Sequence, residues 1–82
     1  MVVREWLIEA PAPHKVRVEH WWVFSGKARV WLDGEMLWER SHKMWDVGFE
    51  YRFKLDGVPC LVRVLYRTWT YEYELWVDGK LQ

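Results

Sequence analysis

Apolar and polar residues alternate along most of this chain, and the alternation breaks where turn-forming residues stand. From His14 to His20, Val16 and Val18 fall on one side of an extended backbone and Lys15, Arg17 and Glu19 on the other. That is the period of a half-buried strand. Val2 to Ala10 reads as an earlier strand, closed by Pro11-Ala12-Pro13, whose prolines cannot donate to a sheet ladder. Three further runs, RVWL, YRFKL and ELWV, each end at an Asp-Gly pair: Asp33-Gly34, Asp56-Gly57 and Asp78-Gly79. A two-residue type I′ turn needs positive φ at both central positions, which Asp tolerates and Gly adopts without steric cost. Each pair is expected to be a hairpin tip, with its Asp acting as a turn former only.

A two-residue loop pairs residues symmetrically about itself, and directly opposed residues share a face, so each tip allows a register test. About Asp56-Gly57 the opposed pairs are Leu55 with Val58, Phe53 with Cys60, Tyr51 with Val62 and Phe49 with Val64, an entirely apolar face. The reverse face sets Glu50 against Arg63. About Asp33-Gly34 the same rule pairs Trp31 with Met36 and Arg29 with Trp38 on one face, and Val30 with Leu37 and Leu32 with Glu35 on the other. Both faces are largely apolar, so alternation does not choose the core side there. Before Asp78-Gly79, Tyr71, Tyr73, Leu75 and Val77 form an inward set and Glu72, Glu74 and Trp76 an outward one, with three residues left for the return strand.

No segment sustains a helical period, and the stretches Ser41 to Gly48 and Tyr66 to Thr70 read as short hinges. The expected fold is all-β: a small antiparallel β-sandwich of about eight short strands joined by hairpins, with a small barrel as the alternative. Residues 1–82 make one domain, of a size that buries only roughly 60–65% of its unfolded surface.

Composition adds one unusual element. Eight Trp, four Tyr and three Phe exceed what a core of this size normally encloses, so some rings are expected at the surface or in a subunit contact. Trp21-Trp22-Val23-Phe24 stands at the tip between the second and third strands, and Trp76 points outward, with Trp31, Met36 and Trp38 unassigned between faces. The expected interaction surface is therefore Trp21, Trp22, Phe24, Trp31, Trp38 and Trp76, serving self-association as a homo-oligomer. The alternative is a carbohydrate or small-ligand module that stacks rings on an exposed Trp face.

Charge excludes other classes. Twelve Lys and Arg balance twelve Asp and Glu without a basic block, which argues against nucleic-acid binding. No run approaches the ~20 apolar residues of a membrane span, and Arg4, Glu5 and Glu9 interrupt the opening segment where a signal peptide would be apolar. A cytoplasmic protein with no membrane partner is expected. His14 and His20 lie ~20 Å apart along one strand and cannot share a metal, and His42 has no companion at ligand spacing. Glu72 and Glu74 sit ~7 Å apart on one strand face, a carboxylate spacing seen in glycosidases, but alternation gives them a wet, convex face instead of a cleft. Cys60, following Pro59 among apolar residues, reads as a small buried hydrophobe. No nucleophile motif or phosphate-cradling glycine run is present, so no enzyme, metal or cofactor is expected.

Several segments together resemble a known family. HKVRVEH at His14 to His20, SGKARVWLDG at Ser25 to Gly34 and YEYELWVDGK at Tyr71 to Lys80 are similar, in order and separation, to the N-terminal half of the Fas apoptotic inhibitory molecule family. Trp6 and the Asp-Val-Gly at Asp46 to Gly48 also fit. The resemblance implies a compact antiparallel β-sandwich and a non-enzymatic role: regulation of death signalling in animals, protein contacts and chaperone-like protection against aggregation. This chain departs from the pattern in carrying one copy of a unit that the animal proteins carry twice, and in Trp21-Trp22-Val23-Phe24, where the family has a small polar turn.

Overall fold

The structure, a computed structural model, describes residues 1–9, 12–21, 26–41 and 48–82. Its strands are β1 (Val2–Ile8), β2 (His14–Trp21), β3 (Lys27–Leu32), β4 (Glu35–Arg40), β5 (Gly48–Leu55), β6 (Val58–Arg67), β7 (Thr70–Val77) and β8 (Lys80–Leu81). They form two antiparallel four-stranded sheets in the orders β1-β2-β3-β4 and β5-β6-β7-β8. Both sheets are open, and the all-β, hairpin-by-hairpin layout is consistent with a small β-sandwich and not with a closed barrel. Among the described residues there is no helix, and so none long and apolar enough to cross a membrane. The chain divides into two compact units, Met1–Asp46 and Val47–Gln82, each holding one sheet.

In the first unit, β2 is the central organiser. Val16, Val18 and His20 oppose Leu32, Val30 and Ala28, and apart from the half-buried Leu32 this face is fully buried. Opposite β2 on its other side, β1 adds the buried Ile8 and the half-buried Trp6 to the same face. The strand ends at Ile8, earlier than the expected Ala10, which lies outside the described residues with Pro11.

The hairpin whose two apolar faces left the core side open is resolved by a β-bulge. Trp31 opposes Met36 and Leu32 opposes Glu35 as expected, but the register then shifts, so that Val30 opposes Trp38 and Arg29 opposes Glu39. The expected pairings of Arg29 with Trp38 and Val30 with Leu37 are not formed. Leu37 is the extra residue, and one additional residue inverts the parity of everything beyond it. Trp38 thereby turns to the side of the buried Val30, while Met36 stays beside Trp31 on the reverse face. The shift also brings Arg29 Nε to a carboxylate oxygen of Glu39. A regular ladder would have set Trp38 opposite that guanidinium.

In the second unit the hairpin about Asp56-Gly57 follows the expected register. Leu55–Val58, Phe53–Cys60, Tyr51–Val62 and Phe49–Val64 are opposed across β5 and β6. On β7, Val77, Leu75 and Tyr73 face Cys60, Val62 and Val64, completing a face in which Leu55, Cys60, Val62, Val64, Leu75 and Val77 are buried. The Tyr51 and Phe53 rings stack at 5.8 Å along its edge.

All three Asp-Gly pairs have positive φ at both positions, with Asp at 50–52° and Gly at 75–82°. A fourth turn of the same kind joins β6 to β7 at Thr68-Trp69, with φ of 39° and 75°. The segment read as a hinge is thus a tight hairpin built without Asp or Gly. Gly48 has a different reason for being glycine: at φ 114°, a Cβ there would lie 2.0 Å from the Val64 carbonyl oxygen. The first residue of β5 can pass its neighbour only without a side chain.

Candidate functional site

On the exposed face of the first sheet, side chains of opposite charge are matched both across strands and along β2. Lys15 Nζ stands 2.7 Å from Glu5 Oε2, and Arg17 Nη2 stands 2.9 Å from Glu19 Oε2. The Trp31 indole N–H donates to Glu19 Oε1 at 2.7 Å. Glu19 is 8% exposed, so this outward-pointing carboxylate is a buried one held by a guanidinium and an indole. Lys27 Nζ lies 5.2 Å and the Arg29 guanidinium carbon 5.4 Å from the Trp21 ring centroid, a cation–π arrangement. Trp21 and Trp31 thus share this face, and charged partners stand beside both rings. Trp38 lies on the opposite side, half-buried beside Val30. Trp22 and Phe24, the rest of the expected tip, lie outside the described residues.

Asp33 does more than form a turn. Its N–H donates to the Lys15 carbonyl, its Oδ1 accepts from the Lys15 N–H at 2.8 Å, and its Oδ2 lies 2.6 Å from His14 Nδ1. The His14 contact, then the backbone donor, hold its carboxyl below the usual carboxylate range. The reading of all three Asp residues as turn formers only fails for this one.

The exposed face of the second sheet is divided along its strands. At one end Arg63 sits between two acids, 3.6 Å from Glu50 and 3.9 Å from Glu74, and Arg67 Nε lies 3.2 Å from Glu72. Glu72 and Glu74 therefore each face a guanidinium rather than each other. One cross-strand row further along, Arg52, Leu61, Trp76 and Leu81 are opposed in sequence across β5, β6, β7 and β8. This row is apolar except at its β5 end. It borders an open cleft of about 520 Å³ lined by Arg52, Lys54, Pro59, Leu61, Trp76 and Gly79 among others. The Trp76 indole N–H donates to Glu74 Oε1 at 3.2 Å, which fixes the ring at the boundary between the ionic and apolar rows. Leu81 is 54% exposed at the far end.

Two other groups bear on chemistry. Cys60 is buried, and burial together with the Asp78 charge pushes its thiol upward, away from a reactive thiolate. Trp69, absent from the expected surface, is 86% exposed at the fourth hairpin tip, above a Tyr66–Tyr71 edge contact at 5.1 Å. A register test about Thr68-Trp69 would have found it: Val64 with Tyr73, Val62 with Leu75 and Cys60 with Val77 are all opposed apolar pairs. The missing Asp-Gly concealed the turn.

Two open antiparallel sheets, each burying one largely apolar face and exposing another rich in charged pairs, define an all-β protein. Residues 2–82 match the family model of Fas apoptotic inhibitory molecule (FAIM1), and the chain belongs to that family. No match to a curated protein was found.

Proposed function

We propose that this domain acts by protein contact and not by catalysis, and that it self-associates through the exposed face of its second sheet. The observation that carries the reading is the row Leu61, Trp76 and Leu81 beside an open cleft, in a surface where most other outward side chains are charged and paired. Trp is the residue type most often found as the buried anchor of an interface. The non-catalytic half draws support from the candidate reactive groups: Glu72 and Glu74 each lie beside an Arg, and burial pushes the Cys60 thiol upward, away from the thiolate. Family membership agrees with a non-enzymatic regulatory role. The test is Trp76→Ser, at a half-buried position on the exposed face, followed by solution mass over a dilution series. Wild type grows in mass with concentration while the variant stays monomeric with the same circular dichroism. A wild type that is monomeric at every concentration removes the reading.

A second reading, binding of a sugar or other small ligand by ring stacking, is favoured by the position of Trp76 on a cleft of about 520 Å³, a volume in the range of small-ligand sites. It predicts a change in Trp fluorescence on adding sugars, independent of protein concentration and lost in Trp76→Ser.

A further inference from the structure

The cations of the second sheet's cleft differ from the others in the chain. Among the described residues every other Lys and Arg except Lys80 has an ion pair, a hydrogen bond or a ring contact, whereas Arg52 and Lys54 have none. Lys80 is opposed to the inward Val77 and belongs to the other face. Both Arg52 and Lys54 line the cleft, and no carboxylate is among its described lining residues. An apolar floor with two uncompensated cations on one rim calls for an apolar group flanked by acids.

This chain carries such a group. On β1, an edge strand of the first sheet, Leu7 is 81% exposed, more than any other aliphatic side chain described. Alternation puts Glu5 on its face two residues before it, and Glu9 follows two residues after it, just past the end of β1. Glu9 is exposed, and although Glu5 pairs with Lys15 its side chain remains 41% exposed. We propose that Leu7 of one copy inserts against Leu61 and Trp76 of a second copy, with the Glu5 and Glu9 carboxylates facing Arg52 and Lys54. The inference rests on the self-association reading and names the surfaces that meet. Each copy carries one cleft and one acidic edge, so the contact either closes reciprocally in a two-fold pair or runs on, copy to copy, to a ring or a chain.

Charge reversal on each side tests it. An Arg52→Glu/Lys54→Glu chain has an acidic edge and an acidic cleft, and a Glu5→Lys/Glu9→Lys chain has a basic edge and a basic cleft. Each alone associates more than about tenfold more weakly than wild type. An equimolar mixture regains association, because each edge then meets a cleft of opposite charge. Since Glu5 also holds Lys15, a Glu9→Lys chain that leaves that pair intact is measured alongside, and it too associates more weakly. Raising salt weakens wild-type assembly through screening. If the reversed chains assemble like wild type, or mixing restores nothing, the proposal is overturned. Should Trp76→Ser still abolish assembly in that case, self-association through the second sheet stands and only the acidic-edge contact falls.

Discussion

Gly48 and Asp33 show how much a single position can be asked to do. A Cβ at Gly48 would overlap the Val64 carbonyl oxygen at 2.0 Å, and φ of 114° disfavours any L side chain. We predict that Gly48→Ala destabilises the domain by about 3 kcal/mol or more, read from urea unfolding, because backbone on both sides must move. Asp33 predicts a pH dependence. Its carboxyl is depressed below the usual range in the folded state, so the stabilisation is complete above the unfolded value near about pH 4 and is lost as pH falls through the lower folded value. Glu5, lowered by Lys15, and Glu39, lowered by Arg29, act in the same direction. Asp33→Asn keeps the positive-φ turn and one acceptor while removing the charge, and should flatten the loss of stability between about pH 5 and pH 3. An equally steep loss in the variant would show that the His14 contact contributes nothing. The turn role of Asp33 was legible from its Gly neighbour. Its second role was not, because His14 lies nineteen residues away and only the strand pairing brings it near.

At the scale of elements, the strands and two of the three Asp-Gly hairpins follow directly from alternation and turn chemistry. Where the pattern was silent, local chemistry and tertiary demands disagreed. Around Asp33-Gly34 both faces are apolar, and the choice was made by the bulge at Leu37, which lets Trp38 cover Val30 and Glu39 meet Arg29. Around Thr68-Trp69 the turn residues are the wrong ones for positive φ, and the pairing of β6 with β7 overrides them. That override carries strain of order 1–3 kcal/mol per residue. Replacing Thr68-Trp69 with Asn-Gly should therefore raise the melting temperature by about 5 °C or more. An unchanged or lower melting temperature would mean that the exposed Trp69 ring contributes contacts worth as much as the strain.

For the molecule as a whole, the aromatic surplus proved divisible. Trp21 and Trp31 are engaged with Lys27, Arg29 and Glu19 on the first sheet, and Trp38 turns to the buried side. Trp76 borders the open cleft of about 520 Å³ together with Leu61 and Pro59. Outward parity was readable for Trp76 from YEYELWV. The cleft was not, because it depends on Arg52 from β5, Leu61 from β6 and Trp76 from β7 arriving in the same cross-strand row. Family membership supplies the class of protein, and the placement of that row carries the proposal of self-association. The most direct test is sedimentation equilibrium of wild type and Trp76→Ser across a hundredfold concentration range. The account predicts a wild-type mass that rises above the monomer's 10.1 kDa with concentration and a folded variant that stays at it. Identical behaviour of the two chains, whether both assemble or neither does, would contradict it.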